Sequence, residues 1–388
     1  MNSFTFNNPT RIHFGRGAIS HLGEELERYG RKVLFLYGGG SIKKNGVYDA
    51  VMEQLTLAGA EVTELSGVQP NPRVSLVREG ITLCREKQLE MVLAVGGGSV
   101  LDTGKAIVNG FYYDGDVWDL FCGEGANTQA LPLGTVITIA AAGSEMSNSA
   151  VISNEETQTK AGRNTPLNFP KFSILDPTYT LSLPPYQTGC GIADIMAHMM
   201  ERYFTQVTAT ELVDGMTESM LRTVIHNAGI VMAQPDNYDA RAEIMWAGAL
   251  AHCTLLGTGR VEDWASHKLE HELSALYDIP HGEGLAAVIP AWLTYCVRQG
   301  QAWRVAQFAR NVFGVEAQED QTAALEGIER LKNFYHSLGL RTSLREMGIL
   351  NPDPEKMAAH AIQVLGRPLG NYVRLDAKAG GEVYRLCL

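Results

Sequence analysis

Leu89-Glu-Met-Val-Leu-Ala-Val95 runs without a break into Gly96-Gly97-Gly98-Ser99-Val-Leu-Asp102-Thr-Gly-Lys105. The first half is a short apolar run rich in aliphatic residues, the pattern of a strand buried on both faces of a parallel sheet. The second half is a glycine turn opening a helix. Strand, glycine turn and helix in that order let backbone N–H groups at the helix start face a phosphate. Ser99 and Asp102 also fit a capping box, S-x-x-D, with the glycines merely making the turn, and both readings can hold together. Asp102 is acidic, so a ribose hydroxyl, an amide or the cap suits it better than a phosphate. The spacing is not G-x-G-x-x-G, so the usual dinucleotide fingerprint is absent.

Upstream the same grammar repeats. Lys32-Val-Leu-Phe-Leu-Tyr37 is a second buried run and ends in Gly38-Gly39-Gly40-Ser41. Before it, residues 3–14 alternate as an edge strand or hairpin, and Ser20 is placed to cap a helix through Arg28. After it come a helix over about 45–58, with Val47, Val51, Leu55 and Leu57 inward, and a strand at 61–65. Pro70-Asn71-Pro72 opens a loop, and Ser75 starts a helix to about Lys87. Downstream, 132–140 is another strand, ending in the small, hydroxylated stretch Ala141–Ser149. Lys160 stands in a polar segment from which it can reach an anion. Phe172–Asp176 closes the series. Alternating strands and helices make this an α/β domain with a mostly parallel, Rossmann-like sheet. Ligands of such sheets bind at the C-terminal ends of strands, where these glycine turns fall.

After Pro184-Pro185 the apolar spacing is helical almost throughout, to about residue 365. A short helix is expected in the tail beyond Gly366. The expected domains are therefore 1–184, α/β, and 185–388, all helical, with a cleft between them as a favoured place for substrate. Two pairs in the second part carry side-chain chemistry. Asp194 and His198 are four apart, as are His267 and His271, so each pair shares a helix face. His281 follows after Tyr277-Asp-Ile-Pro280, which can turn the chain. Such pairs on facing helices would surround one divalent cation with imidazole and carboxylate, a set that suits Zn or Fe. A rival reading exists: His267-Lys-Leu-Glu270-His271 fits the H-x-x-E-H of inverted zinc peptidases, with Glu270 activating a water. That reading leaves Asp194, His198 and the glycine turns without a role.

The formal net charge of −11 argues against nucleic acid or an anionic membrane as partner. The 6 cysteines contain no C-x-x-C pair and read as free thiols of a reducing compartment. With no signal peptide and no long apolar span in view, a cytoplasmic location is expected.

Taken together, Tyr37-Gly-Gly-Gly-Ser41, Gly96-Gly-Gly-Ser99-x-x-Asp102, Thr138 with Gly143-Ser144-Glu145, Leu183-Pro-Pro185, Asp194-x-x-x-His198 and His267-x-x-x-His271 with His281 resemble the iron-containing (group III) alcohol dehydrogenases. Within that family the chain is most similar to the NADP-dependent aldehyde reductase and butanol dehydrogenase branch. The resemblance implies a dehydroquinate synthase-like architecture, an α/β domain followed by a helical one, and a homodimer. It implies that Asp194, His198, His267 and His281 hold one Fe(II) or Zn(II), with His271 the unliganded catalytic histidine beside substrate and nicotinamide. It places Gly97, Gly98, Ser99, Thr138, Ser147, Ser149, Lys160 and Tyr179 along the cofactor, with Gly38, Gly39, Gly40, Ser41, Asn71 and Asp102 as further cofactor-binding candidates. Ala142 departs from the threonine or serine often found there. The expected reaction interconverts primary alcohols and short to medium aliphatic aldehydes by hydride transfer, with another metal-dependent polyol dehydrogenase of the same superfamily as the alternative. NADP(H) is expected over NAD(H). No acid stands between Phe35 and Tyr48 to contest a 2′-phosphate, and Lys43 and Lys44 follow the glycine turn.

Overall fold

The computed structural model describes residues 1–388. The chain forms two compact units, Asn7–Leu183 and Pro184–Leu388, with Met1–Phe6 added to the second. Those first residues were expected in the α/β domain. Asn2 N–H instead donates to the Gly259 carbonyl at 2.8 Å, which anchors them to the helical unit.

The first unit contains, in order, β1 (Arg11–Phe14), α1 (Leu22–Tyr29), β2 (Lys32–Gly38), α2 (Ser41–Lys44), α3 (Val47–Leu57), β3 (Glu61–Val68), α4 (Val74–Glu86), β4 (Met91–Gly96), α5 (Gly98–Gly110), α6 (Val117–Cys122), β5 (Leu133–Ile137), β6 (Ser149–Asn154), β7 (Thr159–Asn164) and β8 (Phe172–Leu175). Six strands form one parallel sheet in the order β1-β8-β5-β4-β2-β3. The chain moves outward from β2 to β3 and then crosses back to place β4 on the other flank of β2. The strand order therefore reverses between β2 and β4, and there Tyr37 lies opposite Val95. The two glycine turns thus leave the sheet side by side at the switch point, where a parallel sheet opens its ligand crevice. Both strands are buried along their apolar runs, as their sequences require.

Several local expectations change. Residues 3–10 are irregular, because the Asn8 side chain accepts from Thr10 N–H at 3.2 Å and turns the chain before Arg11. Ser20 caps no helix. Its hydroxyl donates to the Gly17 carbonyl at 3.0 Å, and α1 begins at Leu22. The helix expected over 45–58 forms as α3, Val47–Leu57, and starts just after Gly46, whose φ of 81° lies in the left-handed region. Leu57 at its end faces solvent rather than the core, 74% exposed. The polar segment around Lys160 is the second strand of an antiparallel hairpin, β6–β7.

The second unit is all helix: α7 (Pro185–Tyr203), α8 (Glu211–Ala233), α9 (Tyr238–Ala251), α10 (Ala265–Tyr277), α11 (His281–Arg298), α12 (Ala302–Phe313), α13 (Asp320–Ser337), α14 (Pro354–Leu365) and α15 (Ala377–Leu386). Pro185 at the first position of α7 costs no hydrogen bond there. Apolar almost all round, α11 packs against α7, α10, α13 and α15 as the axis of the unit. No helix is long and apolar enough to cross a membrane.

Candidate active site

Three helices bring the expected metal ligands together. Asp194 and His198 sit one turn apart on α7, His267 lies in the first turn of α10, and His281 is the first residue of α11. Asp278, with φ of 50°, and Pro280 make the bend between α10 and α11 that aims His281 back at α7. Asp194 Oδ1 lies 4.0 Å from His267 Nε2 and 3.8 Å from His281 Nε2. Ligand atoms of these three residues fall within 4.8 Å of one another. His198 stands beside them, its ring 4.7 Å from that of His267. Its Nδ1 faces the Asp194 carbonyl at 2.9 Å and Oδ1 at 3.1 Å.

His267 Nε2 is buried and makes no hydrogen bond, and Asp194 Oδ1, buried beside it, has only the His198 Nδ1 contact at 3.1 Å. Orphaned buried polar atoms are costly, and each calls for a partner. A divalent cation among one carboxylate and imidazole nitrogens is the partner this donor set fits, with Zn(II) or Fe(II) as the matching ions. The protonation states agree. Burial, followed by the neighbouring His198 and His281, holds His267 well below its ordinary value, so it is neutral and ready to ligate. Burial alone would raise the Asp194 carboxyl, but His198 above all pulls it below the carboxylate range.

Two buried glutamates orient the histidines. Glu201 Oε1 faces His267 Nδ1 at 2.9 Å and accepts from the Ser266 hydroxyl at 2.6 Å and from His267 N–H at 3.0 Å. Its Oε2 accepts from Trp264 N–H at 2.6 Å. Glu270 pairs with His281 Nδ1 and accepts from Ser274 Oγ. Each carboxylate engages Nδ1 and leaves Nε2 for the cluster, the usual support of a ligating imidazole. Glu270 is therefore committed to His281 and Ser274 rather than to a water, which removes the peptidase reading. Glu201 completes a stripe at i, i+4 and i+7 with Asp194 and His198, a spacing visible in the sequence but not drawn on. Another buried acid, Asp263, closes the start of α10. It accepts from the N–H groups of Ala265, Asn371 and Tyr372 at 2.9, 2.7 and 2.6 Å. Burial and the charge of Glu201 raise it to about 7.

His271 is buried one turn beyond His267, its ring centroid 5.8 Å from that of His281. Met199, Leu256 and Cys253 are fully buried core. Trp264 meets His267 edge to face, with ring centroids 5.0 Å apart, and lies under the Arg202 guanidinium at 4.6 Å.

In the α/β unit, glycine is dictated by packing as well as by the turn. A Cβ at Gly97 would meet Ile139 Cγ2 at 2.4 Å, and one at Gly98 would meet Ala142 Cβ at 3.1 Å. No side chain caps α5, and its N-cap is Gly97, so the Ser99–Asp102 capping box does not form. Asp102 is turned into the protein. One oxygen accepts from the Ser144 hydroxyl at 2.7 Å and the other from Val151 N–H at 2.9 Å. Ser147 is fully buried, and its hydroxyl accepts from Lys105 Nζ at 3.2 Å; the same ammonium donates to the Ser147 and Ser149 carbonyls at 3.0 and 2.7 Å. Asp102 and Ser147 thus help fasten α5 to the segment that leads into β6. Burial lowers Lys105 to about 8; in the sequence it reads as an ordinary helix-surface lysine, and nothing there marks it.

Lys160 and Asn71, both cofactor candidates, meet through Nζ and Oδ1 at 3.0 Å. Thr138 N–H extends the β4–β5 ladder to the Gly96 carbonyl at 3.1 Å. Tyr179 is partly buried, which raises its hydroxyl to about 12. Gly38, Gly39, Gly40 and Ser41 sit at the other turn. A Cβ on Gly39 would meet nothing within 4 Å.

A parallel α/β unit with two glycine turns at its switch point and a helical unit holding a His/Asp cluster together make the two-part architecture expected from the sequence. Residues 9–177 match the family described as "Iron-containing alcohol dehydrogenase", and residues 188–383 match "Fe-containing alcohol dehydrogenase family, C-terminal". The chain belongs to the iron-containing alcohol dehydrogenase family. It is 43% identical over 386 residues to NADH-dependent butanol dehydrogenase A of Clostridium acetobutylicum, covering 99% of each chain. It is 38% identical over 352 residues to the NADPH-dependent aldehyde reductase YqhD of Escherichia coli, covering 90% of each. The crystal structure of NADH-dependent butanol dehydrogenase A from Thermotoga maritima superposes with a TM-score of 0.96 at 41% identity, covering 100% of this chain and 99% of that one.

Proposed function

We propose that this alcohol dehydrogenase interconverts primary alcohols and short to medium aliphatic aldehydes, using NADP(H) and one Fe(II) or Zn(II). The observation that carries the metal is the buried, unpartnered His267 Nε2, 4.0 Å from Asp194 Oδ1 and beside His281. When bound, the ion supplies Lewis acidity to a carbonyl oxygen and the nicotinamide supplies hydride. The chain supplies the rest. Asp194, His198, His267 and His281 hold the ion, while Glu201 and Glu270 keep His267 and His281 in the ligating orientation. His271, buried next to His281, is the residue assigned to pass a proton to the substrate oxygen. Gly38–Ser41 and Gly97–Ser99 present backbone N–H groups to the nucleotide.

NADP(H) is favoured by the acid-free segment from Phe35 to Tyr48. The relatives' names divide between NADH and NADPH, so the nucleotide is the part of the reading that most needs measurement. The test is oxidation of NADPH and of NADH followed across a panel of linear aldehydes. Consumption of NADPH with butanal, ahead of NADH, is expected. Oxidation of neither nucleotide with any aldehyde would end the dehydrogenase reading.

A further inference from the structure

The segment Phe35–Tyr48 contains no acid, but the fold brings one to it. β3 lies beside β2 with Glu64 opposite Phe35. The Glu64 carboxylate accepts from the Tyr37 hydroxyl at 2.7 Å and the Tyr48 hydroxyl at 2.8 Å. Lys43 Nζ lies 3.7 Å from the same carboxylate. It also sits over both tyrosine rings, 4.5 Å from the centroid of Tyr48 and 5.1 Å from that of Tyr37. Lys43 belongs to the one-turn helix α2 that directly follows Gly38-Gly39-Gly40. The cation nearest in sequence to that turn is therefore folded back onto an acid and two aromatic faces.

We propose that Glu64 is a specificity-determining residue for the nucleotide: it competes with a 2′-phosphate for Lys43 and so limits the preference for NADPH over NADH. The inference rests on reading Gly38–Ser41 as the turn that faces the adenosine ribose. A 2′-phosphate carries about two negative charges at neutral pH. Lys43 can serve it only by leaving Glu64, and an ionised Glu64 left behind adds repulsion. The exchange is feasible because the pair is exposed, with side chains 48% and 39% accessible, and exposed pairs are weak. NADH has no such phosphate, so its binding is indifferent to the exchange. The hydrogen bond from Tyr37, helped by that from Tyr48 and by the charge of Lys43, holds the Glu64 carboxyl below its ordinary value against its partial burial.

The test is direct binding of NADPH and NADH to the full-length, metal-loaded chain, read from nucleotide fluorescence, so that turnover is not required. Glu64→Gln keeps an acceptor for the tyrosine hydroxyls and removes the charge. It is expected to raise the NADPH-over-NADH affinity ratio about fivefold, the upper end for one exposed charge pair, with NADH affinity within about twofold of the parent chain. Lys43→Ala should lower the ratio more in the Glu64→Gln background than in the parent chain, the coupling a shared partner produces. The gain should shrink in about 1 M salt. A ratio unchanged or lowered by Glu64→Gln, or equal Lys43→Ala effects in both backgrounds, overturns the inference while leaving the dehydrogenase reading intact. If the parent chain binds neither nucleotide, both fall together.

Discussion

The histidine cluster on α7, α10 and α11 and the glycine turns ending β2 and β4 are built by opposite means. The cluster consists of side chains, each fixed by another: Glu201 holds His267 and Glu270 holds His281. The turns consist of backbone, and what defines them is the lack of side chains, enforced where a Cβ at Gly97 would strike Ile139. A site of side chains is sensitive to every partner in its network. A site of backbone is sensitive to added bulk and to nearby charge, and indifferent to much else.

The largest expected effect is at the cluster. His267→Ala removes a ligand and should abolish stoichiometric metal, read by elemental analysis per chain. Turnover should fall about a thousandfold, the rate equivalent of several kcal/mol. Full metal content with near-normal turnover would show that the cluster is not the metal centre. Next comes Glu201→Gln, which keeps the volume but weakens the hold on His267 Nδ1. Metal affinity measured by competition with a chelator should drop about 10- to 100-fold. If affinity is unchanged, the site does not depend on its supporting carboxylates, and the contrast with the turns collapses.

At the turns the lever is bulk. Gly97→Ala forces a Cβ to 2.4 Å from Ile139 Cγ2, and overpacking of this kind costs about 1–3 kcal/mol in denaturant unfolding. Adding Ile139→Ala should recover part of that loss, whereas no recovery would locate the strain in the backbone instead. The smallest effect is one of charge. Gly39→Asp meets open space, so stability should stay within about 0.5 kcal/mol. The NADPH-over-NADH ratio of kcat/KM should fall about tenfold, the equivalent of roughly 1.4 kcal/mol of like-charge repulsion. A ratio that does not fall removes the local argument for NADP(H).

The two regions also differ in how much of them could be read from residues alone. Buried runs such as Val33–Tyr37 and Met91–Val95 disclose parallel strands, because both faces must be apolar, and helical spacing places Asp194 with His198 and His267 with His271. Support is harder to see. Glu201 lies 66 positions before His267, and Glu270 resembles a catalytic base until its hydrogen bonds are known. Asp102 and Ser147 carry residue types that suit a ligand, and the fold also ties both to the protein's own polar groups, which spacing along the chain does not show. Lys105 looks solvated and is entirely buried. The β6–β7 hairpin escaped notice because its strands are mostly polar or small, with Val151, Ile152 and Thr159 as their β-branched residues. Glu64 was missed for a similar reason, since its nearness to Lys43 depends on which strands are neighbours and not on spacing along the chain.

The central claim is that a metal held by Asp194, His198, His267 and His281 is required for nicotinamide-dependent aldehyde reduction. The most direct measurement is butanal-dependent NADPH oxidation by protein purified without oxygen, before and after a strong chelator, with metal content followed in the same samples. The account predicts that activity and metal disappear together and return together on adding Fe(II) or Zn(II). Undiminished activity in chain stripped of its metal would contradict it.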